Sequence, residues 1–261
     1  MIYSLHIGLN RVSPAAYGGW DGKLSGCHND ADAMAAIAVA KGARAYILLS
    51  QDATIEKVVD AIWALGVESI AGDTVIITYS GHGGQYPDHS GDEADGMDET
   101  WCLYNGMLLD DDLNRMLADF DKGVKVVVVS DSCHSGTVTK RLAMAGMHTL
   151  SSMPVKCAPL SACLKAPMSS TPAQEARGKK PRMKASIVLL GGCQDNQFSY
   201  DGGTNGLFTE KLLQVFEQGH AITGYRAFRK AIGQLMPPEQ TPSLYIIGGK
   251  NKAFENGPVF T

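Results

Sequence analysis

Two apolar runs, DTVIITYS (73–80) and KVVVVSD (125–131), limit the folds open to this chain more than any other feature. Each is strand-length and rich in β-branched residues, which reads as a strand buried in a sheet. Further strands are expected at 3–10 (YSLHIGLN), 43–50 (ARAYILLS), 185–193 (ASIVLLGGC) and 242–249 (PSLYIIGG). Helical spacing of apolar residues falls between them. It covers 29–42, capped by Asn29 or Asp30 and ended by Gly42, and 54–65, with Thr54 at its start. It continues at 110–120, whose first-turn acids suit the helix dipole, and at 205–219 and 224–235. Strands alternating with helices predict an α/β fold with a mostly parallel central sheet and helices on both faces. At 261 residues and 44% hydrophobic, the chain can bury a sizeable core.

In such sheets ligands bind outside the carboxyl ends of the strands. Two expected strands end in reactive residues there: Ser80-Gly81-His82-Gly83 and Asp131-Ser132-Cys133-His134. A thiol attacks a carbonyl as its thiolate and needs a base or a lowered pKa. His134 is adjacent to Cys133, but neighbours in an extended segment point to opposite sides. His82 is the better-placed base, and its flanking glycines let the backbone turn sharply and approach a substrate. A lone cysteine at a strand end is usually inert, and a histidine in a glycine-rich turn often only caps it. The two together favour chemistry. Cys102 and Cys193 have no such partner pattern, and Cys157 and Cys163 fall in a loop-like stretch.

Several functions are disfavoured. The net charge of −4 gives no basic surface for nucleic acid. No apolar run approaches the ~18 residues of a membrane span. The start, MIYSLHIGLN, lacks a basic region and a cleavage site, so it reads as a first strand. Six scattered cysteines without a CxxC pair disfavour a zinc site and suit reduced thiols in the cytoplasm. From 137 to 184 the chain is rich in Ser, Pro, Lys and Arg with weak periodicity, which reads as an exposed, flexible loop.

TYSGHGGQ followed by VVSDSCHSG resembles the metacaspases and the prokaryotic orthocaspases, caspase-like cysteine peptidases. LSGCHNDADAM and GGCQDNQFSYDGG also look like their segments. In caspases too the histidine lies about 50 residues upstream of the cysteine. The resemblance implies a single caspase-like domain over 1–261 with a sheet of about six strands. Residues 1–136 match the large-subunit segment, 137–184 the inter-segment loop and 185–261 the small-subunit segment. It makes Cys133 the nucleophile and His82 the general base and acid. The backbone N–H groups of Gly83 and Cys133 would form the oxyanion hole. No cofactor is needed for this chemistry.

Asp30, Ser80 and Asp131 match positions lining the first specificity pocket of metacaspases, with Cys27 beside them. Two carboxylates near the nucleophile would attract Arg or Lys and repel Asp. Asp30 reads equally well as a helix cap, and Asp131 as a strand-end turn residue. Asp98, Asp110 and Asp111 match acids that bind calcium in calcium-dependent metacaspases, so modest activation at millimolar calcium is expected. A solvated turn and an acidic helix start explain the same acids. Calcium-dependent relatives carry a further acid where this chain has Lys140 and Arg141.

The expected protein is therefore a monomeric endopeptidase that cuts protein or peptide substrates after exposed Arg or Lys. It would also cut itself in the central loop. Lys140, Arg141, Lys156, Lys165, Arg177, Lys179, Lys180 and Arg182 offer suitable bonds there. Arg182, before Met183, suits better than Lys180, which precedes proline. The competing readings are another peptidase of the same clan, a non-catalytic caspase-like scaffold, and a calcium-responsive binding module.

Overall fold

The structure, a computed structural model, describes residues 1–89, 91, 93, 96–133, 150, 152–170, 181–194, 197–218 and 222–261. The centre is a six-stranded sheet. In chain order its strands are β1 (Ile2–Gly8), β2 (Arg44–Leu49), β3 (Thr74–Ser80), β7 (Lys125–Asp131), β8 (Ser186–Gly191) and β9 (Ser243–Gly248). In space the order is β2-β1-β3-β7-β8-β9, parallel throughout except for β9, which runs antiparallel to β8 at one edge. The two apolar runs became β3 and β7, adjacent at the middle of the sheet.

Side-chain alternation along these strands feeds two separate cores. Val75, Ile77, Val126 and Val128 join one with Val58, Ile62 and Leu65 of α2 (Ile55–Glu68) and Leu117 of α3 (Asp110–Asp119). Ile76, Val127 and Val129 join the other with Met34 and Ile37 of α1 (Cys27–Ala40). That second core also takes in Leu212 of the helix Leu207–Gln218 and Phe228 of the helix Tyr225–Leu235. Both faces are thus covered, which is why these strands carry apolar residues on both sides. Thr54 caps α2 by accepting a hydrogen bond from the Lys57 N–H. None of the described helices is long and apolar enough to cross a membrane.

Two features depart from the expected pattern. A second sheet of three antiparallel strands follows β3: β4 (Gly83–Pro87), β5 (Met97–Leu103) and β6 (Gly106–Leu109). The expected loop of 137–184 is also not loose where it is described. Residues 152–170 contain the short helix α4 (Leu160–Cys163) and bridge both the β4 edge and β6, through the pairs Gly83↔Cys157 and Met107↔Met168. The helices Leu207–Gln218, Tyr225–Leu235 and Lys252–Asn256 follow as α5, α6 and α7.

Candidate active site

The site is built by the register of β3 and β7, which pairs Ser80 with Asp131 at their carboxyl ends. His82 and Cys133 each lie two residues beyond that pair. A side chain at Gly83 would collide with the Cys133 carbonyl group, so only glycine lets the two strand ends close up.

His82 is buried, with its ring edge-on to Trp20 at 4.7 Å between centroids. Its Nε2 lies 2.9 Å from the Gly22 carbonyl oxygen. A carbonyl can only accept, so Nε2 carries the hydrogen and Nδ1 holds the lone pair. Nδ1 is buried and has no hydrogen-bond partner. Burial lowers the His82 pKa to about 4, the Gly22 carbonyl works against that, and the Lys156 cation adds to it. The ring is therefore neutral at pH 7, with a free basic nitrogen.

Cys133 is fully buried. Its Sγ accepts a hydrogen bond from the Ser199 N–H at 2.7 Å and lies 3.4 Å from the Ser199 carbonyl. Burial, and then the neighbouring thiols of Cys157 and Cys193, push its pKa up, so it is a thiol in this state. No hydrogen bond joins it to His82 among the described residues.

Asp30, Ser80 and Asp131 come together, all buried. Asp30 is not the cap of α1, as its alternative reading had it; it lies inside the first turn. Its carboxylate accepts from the Ser80 hydroxyl at 2.6 Å, the Asn205 amide at 2.8 Å and the Gly206 N–H. Asp131 accepts from the hydroxyls of Ser199 and Thr209 at 2.6 and 2.7 Å. Cys27 is buried beside them; burial drives its thiol up to about 12.

Between the two carboxylates sits the ammonium of Lys156, fully buried. Its Nζ lies 3.1 Å from both Asp30 Oδ2 and Asp131 Oδ2, and 2.9 Å from the Ser80 hydroxyl. Burial works to lower its pKa, but Asp131 and Asp30 outweigh that and raise it well above the usual lysine value. Its backbone is held as firmly. The Lys156 carbonyl accepts from the N–H groups of Gly83 and Cys133, both at 3.1 Å. Its N–H donates to the Ser199 carbonyl at 2.8 Å, and Val155 pairs antiparallel with Tyr200. On the other side the Ala158 N–H donates to the Gly83 carbonyl at 2.8 Å. Residues 154–158 thus lie extended through the site, with side chain, carbonyl and flanking backbone all engaged.

Ser199, Asp201, Asn205, Thr209 and Gln240 complete the site, and sequence reasoning missed all five. Asp201 accepts from the Ser25 and Gly26 N–H groups and ties the start of α1 to the second half of the chain. Gln240 donates to the Ser199 hydroxyl and to the Gly192 carbonyl. The segment 197–205 carries Ser199, Asp201 and Asn205, whereas no local signal marked Thr209 or Gln240.

The acids expected to bind calcium lie on β5 and at the start of α3. Asp98 is buried, and Asp111 pairs with Arg115 at 3.2 Å. Among the described residues no three His, Cys, Asp or Glu side chains group so as to hold a metal ion. No step of the reaction below runs through a metal ion. His134, Lys140, Arg141, Arg177, Lys179 and Lys180 lie outside the described residues.

Acid should loosen this fold. His6, buried on β1 with Nδ1 2.9 Å from the Thr78 hydroxyl, is also lowered to about 4 by burial. Between the ordinary value of 6.5 and about 4, an unfolded chain takes up protons that these two folded rings refuse. Stability is full above 6.5 and falls by a few kcal/mol, on the order of 1.4 kcal/mol per pH unit per ring, as pH drops through that window. Guanidinium unfolding at pH 7.5, 5.5 and 4.5 measures it. A midpoint unchanged across that range would show that neither ring resists protonation.

The model of the caspase domain family matches residues 12–251, nearly the whole chain. This chain belongs to the caspase-domain family of cysteine peptidases. Metacaspase-2 of Arabidopsis thaliana is 25% identical over 87% of the chain and 57% of its own length. Metacaspase-1 of Schizosaccharomyces pombe is 28% identical over 82% of the chain and 59% of its own length. The chain spans little more than half the length of these relatives. A solved protein of Geobacter sulfurreducens superposes with a TM-score of 0.87, is 43% identical and covers 100% of this chain and 98% of its own. The family match agrees with the six-stranded, mostly parallel sheet expected from sequence.

Proposed function

We propose that this chain is a cysteine endopeptidase that hydrolyses peptide bonds after Lys or Arg, and that Lys156–Cys157 is a bond it cuts in itself. The observation that carries this is Lys156, whose ammonium lies between Asp30 and Asp131 while its carbonyl oxygen meets the Gly83 and Cys133 N–H groups. A peptide substrate would be held in the same way. Its basic side chain would enter the acidic pocket, and its scissile carbonyl would lie against Cys133.

In the reaction His82 Nδ1 takes the Cys133 proton, and the thiolate attacks the carbonyl carbon. The two N–H groups stabilise the negative charge that develops on the oxygen. His82 then passes the proton to the departing amine, leaving a thioester on Cys133 that water hydrolyses. Sγ must first swing from Ser199 towards His82. The state described is therefore a resting one, with the pocket filled and the thiol protonated. Protein or peptide substrates in trans compete with residues 154–158 for the site.

A panel of fluorogenic peptides differing only in the residue before the cleaved bond tests this. Lys and Arg peptides should be hydrolysed at least ~100-fold faster than Asp or norleucine peptides, the scale of a buried charge pair. Equal rates, or a preference for Asp, would remove the pocket from the proposal.

A further inference from the structure

We propose that the Lys156–Cys157 cut is reversible: Cys157, held at the site after cleavage, takes the acyl group back and reseals the chain. This rests on the peptidase reading above and adds a ligation activity to it.

Both sides of the bond are anchored independently. Upstream, Lys156 fills the acidic pocket, its N–H bonds Ser199, and the Asp201 N–H donates to the Pro154 carbonyl at 2.8 Å. Downstream, Ala158 bonds Gly83, and α4 packs on β4 with Cys163 buried. Further along, the Met107 N–H donates to the Pro167 carbonyl at 2.8 Å and the Ser169 N–H to the Met107 carbonyl at 2.9 Å. Breaking one peptide bond removes none of these contacts. The new amino terminus therefore stays beside the thioester instead of diffusing away.

That terminus is a cysteine. In the forward step the Cys133 Sγ–Lys156 carbon bond forms, the bond to the Cys157 nitrogen breaks, and the thiol proton travels through His82 to that nitrogen. Two routes lead back. The amine can attack the thioester directly. Alternatively the Cys157 thiol can exchange onto the acyl carbon and release Cys133 as a thiol. The acyl group then moves from sulfur to the amine of the same residue through a five-membered ring. Either route restores the peptide bond and the Cys133 thiol, with no oxidant, reductant or co-reactant. Tethered groups in good alignment react as if present at about 10⁵–10⁸ M, which favours return over attack by water. Cys157 is half-buried and directly follows Lys156, so cleavage would leave its amine and thiol on the residue next to the acyl group.

Hydroxylamine, a nucleophile that captures thioesters, reads the return step. If the acyl-enzyme mostly reverts, capture should raise the rate at which full-length chain is lost. If acylation is followed only by hydrolysis, capture changes the product but not the rate. Intact mass should show wild type cut about tenfold or more faster with neutral hydroxylamine, ending in a hydroxamate on Lys156. Cys157→Ala and Cys157→Ser should be cut faster than wild type without hydroxylamine and gain less from it. A hydroxamate formed at an unchanged cutting rate, with Lys and Arg fluorogenic peptides still hydrolysed, would overturn resealing and leave the peptidase reading standing. No cutting, no hydroxamate and no fluorogenic turnover would overturn both.

Discussion

Cys133→Ala is expected to abolish hydrolysis of Lys and Arg peptides and to leave the chain uncut at Lys156, with the fold retained. Cys133 is fully buried, packed in the second core with its sulfur held by the Ser199 N–H and carbonyl, so a methyl group is accommodated there with those two hydrogen bonds to sulfur lost. Without the nucleophile no thioester forms, and the loss should reach many powers of ten because nucleophile and base act as a unit. His82→Ala should lose nearly as much. Its loss would also leave the Gly22 carbonyl without the Nε2 donor, so its unfolding midpoint should be measured beside its rate. Substantial turnover by Cys133→Ala would move the nucleophile elsewhere. An inactive His134→Ala beside an active His82→Ala would move the base.

What the sequence revealed follows from which residues have one dominant environment. DTVIITYS and KVVVVSD can be stable only as strands covered on both faces, so β3, β7 and the meeting of their carboxyl ends at Ser80 and Asp131 were legible. The β4–β6 sheet was not. Its middle strand, MDETWCL, mixes acids with apolar residues, and the preceding GDEADG reads as a solvated turn. Lys156 was legible as a cleavable residue but not as the one in the pocket. A lysine in a Ser- and Pro-rich stretch is normally exposed, and a fully buried one requires paired carboxylates that lie far away in sequence. Arg182, favoured over Lys180 by its neighbour, is exposed. No local signal ranks Lys156 above the other basic residues of 137–184, because Ser199 and the Gly83 edge choose it through backbone hydrogen bonds.

Asp30→Asn should reduce kcat/KM for Lys and Arg peptides by about 30- to 1,000-fold, the range for breaking one side of a buried charge pair. The asparagine keeps an oxygen for the Asn205 and Gly206 donors, so the shape of the pocket survives while half its charge goes. The same change should free the pocket in the resting protein. The Lys156 ammonium would face Asp131 alone, and a buried cation that loses a carboxylate is destabilised by several kcal/mol. Two effects therefore oppose each other: easier exit of Lys156 and weaker capture of an incoming lysine. A neutral isostere separates them. Norleucine and citrulline peptides use the pocket's shape without its charge, so their kcat/KM should rise or hold in Asp30→Asn while the Lys and Arg values fall. If all four peptides fell together, Asp30 would be supporting the start of α1, and the specificity would have to come from Asp131 or from outside the pocket.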